Sequence, residues 1–138
     1  MIRKKSKHNT LCNIVSEHLK NKLDTNNESF YDIIKQEEKY KLHKISTKTL
    51  KRIEGECDVV GIKLGRKHYA VIFEVKCSNH YQKALRQLKK DQEYYQKKYE
   101  LDKIYHFYTT GNPKDKTWKQ VKYKWVNQEE INNTKIQY

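Results

Sequence analysis

The chain is poor in the residues that punctuate a backbone, with one proline and four glycines in 138 residues. No linker, internal repeat or low-complexity tract stands out. The length suits a single domain, 1–138, with one modest core. Cysteine is scarce as well: Cys12, Cys57 and Cys77 are odd in number and far apart. That set argues against a disulfide framework, a zinc site or a four-cysteine iron–sulfur cluster. It fits a reducing compartment such as the cytoplasm (the host's, for a viral source). Long apolar runs are also missing. The longest, about Tyr69 to Phe73, is far too short to span a membrane. The basic start, Arg3 to Lys7, has no apolar core after it and so reads as a flexible arm over 1–8 rather than a secretory signal.

Acid is in short supply relative to base. Thirty Lys and Arg stand against 17 Asp and Glu, a net charge of +13. Charge this lopsided on a small domain fits a polyanionic partner, DNA first and RNA as an open alternative. The Lys, Asn, Ile and Tyr bias fits an AT-rich genome, viral or archaeal.

Periodicity predicts the elements. Asn9 or Thr10 caps a helix to about Leu23, with Leu11, Ile14, Val15, His18 and Leu19 on one stripe. His18 reads as a helix-face residue, since no second histidine sits at ligand spacing. A turn over Asp24 to Asn27 leads to a second helix from about Glu28 to Lys41, with Phe30, Ile33 and Ile34 on a face. The polar and basic stretch Ser46 to Lys51 leads into a hairpin and could flank a DNA backbone. The hairpin pairs Glu54 to Ile62 with Tyr69 to Lys76 across a turn at Gly65.

The strongest helical signal follows, capped by Ser78 or Asn79. Tyr81, Ala84, Leu85, Leu88, Gln92, Tyr95 and Tyr99 mark its apolar face. Lys103 to Thr109 reads as a strand parallel to a neighbour, Thr109 to Lys114 as a turn, and Lys119 to Val126 as an edge strand. Asn127 with Glu130 reads as the capping box of a short final helix. The fold class is therefore α/β (α+β), a mixed central sheet flanked by helices.

The hairpin carries charge where the pattern calls for apolar residues, a conflict expected at functional sites. Alternation puts Glu56 and Asp58 on one face of the first strand, and Glu74 and Lys76 on one face of the second. Asp58, Glu74 and Lys76 then converge at one end of the sheet. Two converging carboxylates repel unless a cation lies between them, and oxygen ligands suit Mg²⁺ or Mn²⁺. A neighbouring ammonium can orient a water or stabilise a phosphoryl transition state.

Asp58, fifteen residues, then Glu74-Val75-Lys76 resembles the signature of the PD-(D/E)XK nuclease superfamily. Gly55 to Val60 is similar to the first-strand segment of its small archaeal Holliday-junction-resolvase-like members, with Cys57 where a proline often stands. The resemblance implies a restriction-endonuclease-like core and an Mg²⁺-dependent deoxyribonuclease of resolvase type, acting as a two-fold dimer. It implies that Asp58, Glu74 and the Val75 carbonyl hold metal and that Lys76 is the catalytic lysine. A first-helix glutamate often completes such a site; Glu17 is the candidate and Glu28 the runner-up. Glu56 either supports the ligands or adds one. Lys83, Arg86 and Lys90 on the long helix, with Arg66 and Lys67 in the hairpin turn, are candidate phosphate contacts. Gln87-Leu88 looks like the start of the motif of the exonuclease branch, with Asp91 where its tyrosine is expected. The alternatives are therefore a RecB-like exonuclease or a non-catalytic basic nucleic-acid-binding protein on the same fold.

Overall fold

The computed structural model describes residues 7–46, 49–77, 79–111 and 121–135. The elements run α1 (Lys7–Lys20), β1 (Ile33–Ser46), β2 (Thr49–Leu64), β3 (His68–Lys76), α2 (Tyr81–Tyr99), β4 (Lys103–Thr110), β5 (Lys122–Val126) and α3 (Gln128–Asn132). The five strands form one sheet in the order β1-β2-β3-β4-β5. Only β3 and β4 are parallel, in register from Tyr69↔Lys103 to Lys76↔Thr110, and α2 is the crossover between them. Long parallel connections of this kind need a helix to return the chain. The expected mixed sheet flanked by helices is what forms.

Two apolar clusters sandwich the sheet. On one face Ala84, Leu85, Leu88 and Tyr95 of α2 pack on Val60, Ile62, Ala70, Ile72 and Ile104. On the other, Leu11, Cys12, Val15 and Leu19 of α1 pack on Val59, Val71, Phe73 and Val75. The pleat explains the division, since Val60 faces Ile72 and Ile62 faces Ala70 across the β2–β3 ladder. Among the described residues no helix is long and apolar enough to cross a membrane.

The largest departure from the sequence reading is at 28–41. No helix forms there; Ile33 to Ser46 is β1, paired antiparallel with β2 from Ile33↔Ile62 to Ser46↔Thr49. Phe30, Ile33 and Ile34 fit a helical stripe, but the ladder with β2 outweighs that local pattern. The two-residue spacing of Tyr40 and Leu42, both buried with the α2 cluster, was the strand signal. The first strand of the expected hairpin is correspondingly longer, beginning at Thr49 rather than Glu54.

Smaller boundaries shift too. Helix α1 starts at Lys7 and ends at Lys20, so Asn9 and Thr10 lie inside it, and the expected arm overlaps a helix. Residues 1–6 of that arm lie outside the described residues, as do Ser78, residues 112–114 of the expected turn and Lys119, while Thr109 and Thr110 end β4. Helix α2 is capped at His80, without a side-chain bond, rather than at Asn79. Its buried face includes Asp91, while Gln92, assigned to that face from the sequence, is half-buried. Along β5, the edge of the sheet beyond β4, Tyr123 and Trp125 stay exposed. Asn127 accepts from the Glu130 N–H at 2.8 Å; the Glu130 carboxylate takes the Tyr81 hydroxyl instead of closing the box.

Strands β1 and β2 outrun the rest of the sheet. The β2–β3 ladder ends at Val59↔Phe73, whereas β1 and β2 stay paired as far as Ser46↔Thr49. The resulting ribbon leans on α2. Tyr40 stacks on Tyr94 with ring centres 4.4 Å apart, and the Tyr95 hydroxyl donates to Glu38 Oε1 at 2.6 Å. The Tyr40 ring also lies across Gly55, its cross-strand partner; a Cβ on Gly55 would come within 2.5 Å of it. The ring is anchored by its hydroxyl on Asp91 and has little room to give way. Gly55→Ala should therefore destabilise by about 1–3 kcal/mol and lower the melting temperature. Gly65→Ala, whose Cβ would meet nothing within 4 Å, should leave it unchanged. Equal melting temperatures for the two variants would show that Tyr40 moves freely.

Candidate functional site

The site lies where β2 parts from β3. One residue past the last β2–β3 pair, Asp58 turns its carboxylate into the sheet, and Oδ2 accepts the Val75 N–H at 2.7 Å. A side chain thus takes the place of a backbone acceptor. The change of course is visible in the packing: Cys57 belongs to the α2 cluster and Val59 to the α1 cluster. Opposite, the β1–β2 ladder skips Glu37, whose φ of 52° is left-handed. Such a value is uncommon outside glycine and bends β1 at this point.

Glu74 faces the same gap from β3 and is 2% exposed. Lys76 Nζ lies 3.1 Å from Glu74 Oε1, while Oε2 has no hydrogen-bond partner among the described residues. Burial, then the nearby charges of Asp58 and Asp91, push the Glu74 carboxyl well above the usual carboxylate range; Lys76 opposes the shift without reversing it. Burial alone would lower the Lys76 ammonium, but Glu74 beside it outweighs that and raises it. The sequence expectation that Asp58, Glu74 and Lys76 converge is met in position. Val75 is tied in through its own N–H.

The other expected residues separate. Glu17 is on the exposed side of α1, paired with Lys20 at 3.5 Å. Glu28 sits in the turn after α1, its N–H donating to Asp24 Oδ1 at 3.0 Å. Neither approaches Asp58, because the helix stripe that faces the sheet carries Leu11, Cys12, Val15 and Leu19. Glu56 instead lines a cleft of about 730 Å³ between the ribbon and α2, together with Lys39, Lys41, Gln87 and Tyr94. Lys83 and Arg86 are exposed on α2 and Lys90 is half-buried. Arg66 and Lys67 occupy the turn before β3, roughly 30 Å along the strand from Lys76.

Three features escaped the sequence reading. Asp91 is fully buried on α2; its Oδ1 accepts from the Tyr40 hydroxyl and from Gln87 Nε2, the latter at 2.8 Å. Burial pushes its carboxyl up to about 8, and Tyr40 and Gln87 hold it from going higher. An acid on the apolar stripe Leu88, Asp91, Tyr95 was the available signal. Gln87, given above only as the start of a motif, is half-buried and also donates to the Tyr40 hydroxyl at 3.1 Å. Finally, His8 of α1 places Nε2 3.2 Å from Asp58 Oδ1. That hydrogen bond raises the imidazole above its ordinary value against the pull of burial. Its place in a lysine-rich leader hid it.

No family model matches the sequence, and no curated protein matches it. Among solved structures, SSO0001 is similar over 88% of this chain and 52% of that one, with a TM-score of 0.46 and 13% identity. This chain therefore spans about half the length of SSO0001.

Glu74 is protonated more readily in the folded protein than in the unfolded chain. Its contribution is fully present below the unfolded value and is lost as pH rises through the raised one. Glu74→Gln removes that dependence. In metal-free buffer the variant should melt above the parent at about pH 8, by roughly 1–3 kcal/mol for an unpartnered buried oxygen, with the gain shrinking toward about pH 4. Thermal melts across that range check it. A gain independent of pH would contradict the raised carboxyl.

Proposed function

We propose that the chain is a metal-dependent nuclease that hydrolyses DNA phosphodiesters, a resolvase-type endonuclease resembling PD-(D/E)XK enzymes. The observation that carries the reading is the convergence of Asp58 and Glu74, both at most 5% exposed, with Lys76 at 3.1 Å from Glu74. Two acids are rarely buried together without a compensating cation. The donor set fits a small hard ion: carboxylate oxygens from two strands, one of them, Glu74 Oε2, buried without a hydrogen-bond partner among the described residues. Asp58, Glu74 and the Val75 carbonyl would hold it. Bound there, Mg²⁺ or Mn²⁺ would supply polarisation of the phosphate and a more acidic water.

The chain's own groups do the rest. Val75 N–H fixes the Asp58 carboxylate through Oδ2. Glu74 holds the half-buried Lys76 ammonium in the gap, where it can donate to a phosphoryl oxygen as negative charge develops. Asp91, through Tyr40 and Gln87, locks the ribbon against α2. The exposed Lys83 and Arg86 of α2 and the lysines of the adjoining cleft supply phosphate contacts. A resolvase makes paired cuts, so the acting unit is a two-fold dimer on branched DNA.

One observation favours a second reading. Gln87 is drawn toward the site by Tyr40 and Asp91, so a hydroxyl from β1 stands near where the exonuclease branch has its motif tyrosine. A RecB-like exonuclease would leave circular DNA intact; an endonuclease would cut it.

Circular, linear, single-stranded and four-way-junction DNA incubated with Mg²⁺ test the proposal. The parent should cut, and excess chelator should stop it. Asp58→Asn, Glu74→Gln and Lys76→Ala should each slow cleavage by at least about a hundredfold. DNA affinity should hold or rise in the two carboxylate variants, since a negative charge beside phosphate is lost. Cutting by Asp58→Asn at the parent rate would refute the assignment. A parent that binds but cuts no DNA form would leave a binding module. Affinity should also fall steeply with salt, given +13; a flat salt dependence would rule out phosphate contacts as the main attraction.

A further inference from the structure

Beside the proposed nuclease centre, α1 and β1 bring together donors of a different kind. His8, Cys12 and Glu37 each offer a ligand atom, and all three atoms lie within 4.8 Å of one another. We propose that they form a second metal site, for a borderline transition ion with zinc the best fit, whose fourth position is left to water. The site goes beyond the nuclease reading and stands whether or not the chain cleaves DNA.

The geometry follows from the helix and the bent strand. His8 and Cys12 are four residues apart, which puts them one above the other on the same face of α1. That face meets the sheet, and Cys12 is fully buried. Its Sγ is 3.8 Å from His8 Nε2 and 3.9 Å from Nδ1. Four ligands about 2.0–2.3 Å from a tetrahedral zinc stand roughly 3.3–3.8 Å from each other. The His8–Cys12 separation fits that edge without rebuilding. Asp58 Oδ1, 3.2 Å from His8 Nε2, orients the imidazole from behind while its other oxygen holds Val75, which leaves Nδ1 for the ion.

Glu37 enters because its left-handed φ of 52°, at the position the β1–β2 ladder skips, turns it out of the regular alternation. A carboxylate one residue away on a regular strand would face elsewhere. Asn9 Nδ2 donates to Glu37 Oε1 at 2.9 Å, which steadies the carboxylate against α1. The mixture of imidazole, thiolate and carboxylate selects against Mg²⁺ and Ca²⁺, which take oxygen, and toward Zn²⁺ or Co²⁺. Only the thiolate binds, so loading the site releases the Cys12 proton to solvent. Asp58 would then serve both centres, as a ligand of the first and as the carboxylate that orients His8 in the second.

Cobalt provides the readout, because a thiolate bound to Co²⁺ gives a near-ultraviolet charge-transfer band. Titrating the full chain with Co²⁺ should develop that band at one ion per chain. Zn²⁺ should bleach it, and a large excess of Mg²⁺ should not. Cys12→Ser should abolish the band, while Cys57→Ser and Cys77→Ser should keep it. Zn²⁺ should raise the melting temperature of the parent and not that of Cys12→Ser. Should the buried Cys12 variant fail to fold, His8→Gln and Glu37→Gln remain; each keeps the band but should weaken Co²⁺ binding at least about tenfold. No band in the parent, a band that survives in Cys12→Ser, or parent-like affinity in both His8→Gln and Glu37→Gln would overturn the site. None of these measurements involves cleavage, so they are independent of whether the nuclease assignment holds.

Discussion

The hydrogen bond from Val75 N–H to Asp58 Oδ2 sets the course of half the molecule. A backbone donor in the middle of a sheet must find an acceptor, since leaving it buried and unpaired costs about as much as a lost hydrogen bond. With the Asp58 carboxylate taking that place, β2 is released from β3 one residue after Val59↔Phe73. From there β1 and β2 travel as a two-stranded ribbon. An isolated ribbon is marginal in water, and this one is held by Tyr40, Leu42 and Ile53 against the α2 cluster. The gap left between ribbon and sheet is the candidate site, so the side chain that opens the gap also sits in it.

Charge in that gap is expensive, and the surrounding contacts show how it is contained. Glu74 and Asp91 are both buried and both shifted upward, so each resists ionising without compensation. Lys76 answers Glu74, and Tyr40 with Gln87 answers Asp91. Because Tyr40 comes from β1, the polar network also fastens the ribbon to α2. Packing and chemistry are therefore coupled here: the ring that fills the space left by Gly55 carries the hydroxyl that donates to Oδ1 of the deepest acid.

The first turns of α1 have a similar double character. Leu11, Val15 and Leu19 seat the helix on the sheet, and that seating presents His8 and Cys12 to the bend in β1 at Glu37. The helix carries no acid toward the gap. Its nearest polar group is an imidazole that reaches Asp58, a different chemical partner from the glutamate expected on that helix.

By itself the sequence determined the parts whose signal is local. Alternating strands over Tyr69 to Lys76 and Lys103 to Thr109, the long amphipathic helix between them and the placement of Asp58, Glu74 and Lys76 on facing strands all follow from side-chain period within a few residues. Tertiary structure decided what depends on a distant partner. Ile33 to Ser46 carries apolar spacing compatible with a helix, and only β2, thirteen or more residues away in register for much of its length, makes it a strand. Asp91 became part of the site because Tyr40 on another element reaches it. His8, Cys12 and Glu37 share no motif; a helix docked by its leucines and a strand bent at one left-handed residue bring them within 4.8 Å. Period is written in neighbouring residues, whereas proximity across elements is set by which surfaces bury each other, and that is settled only when the whole chain packs.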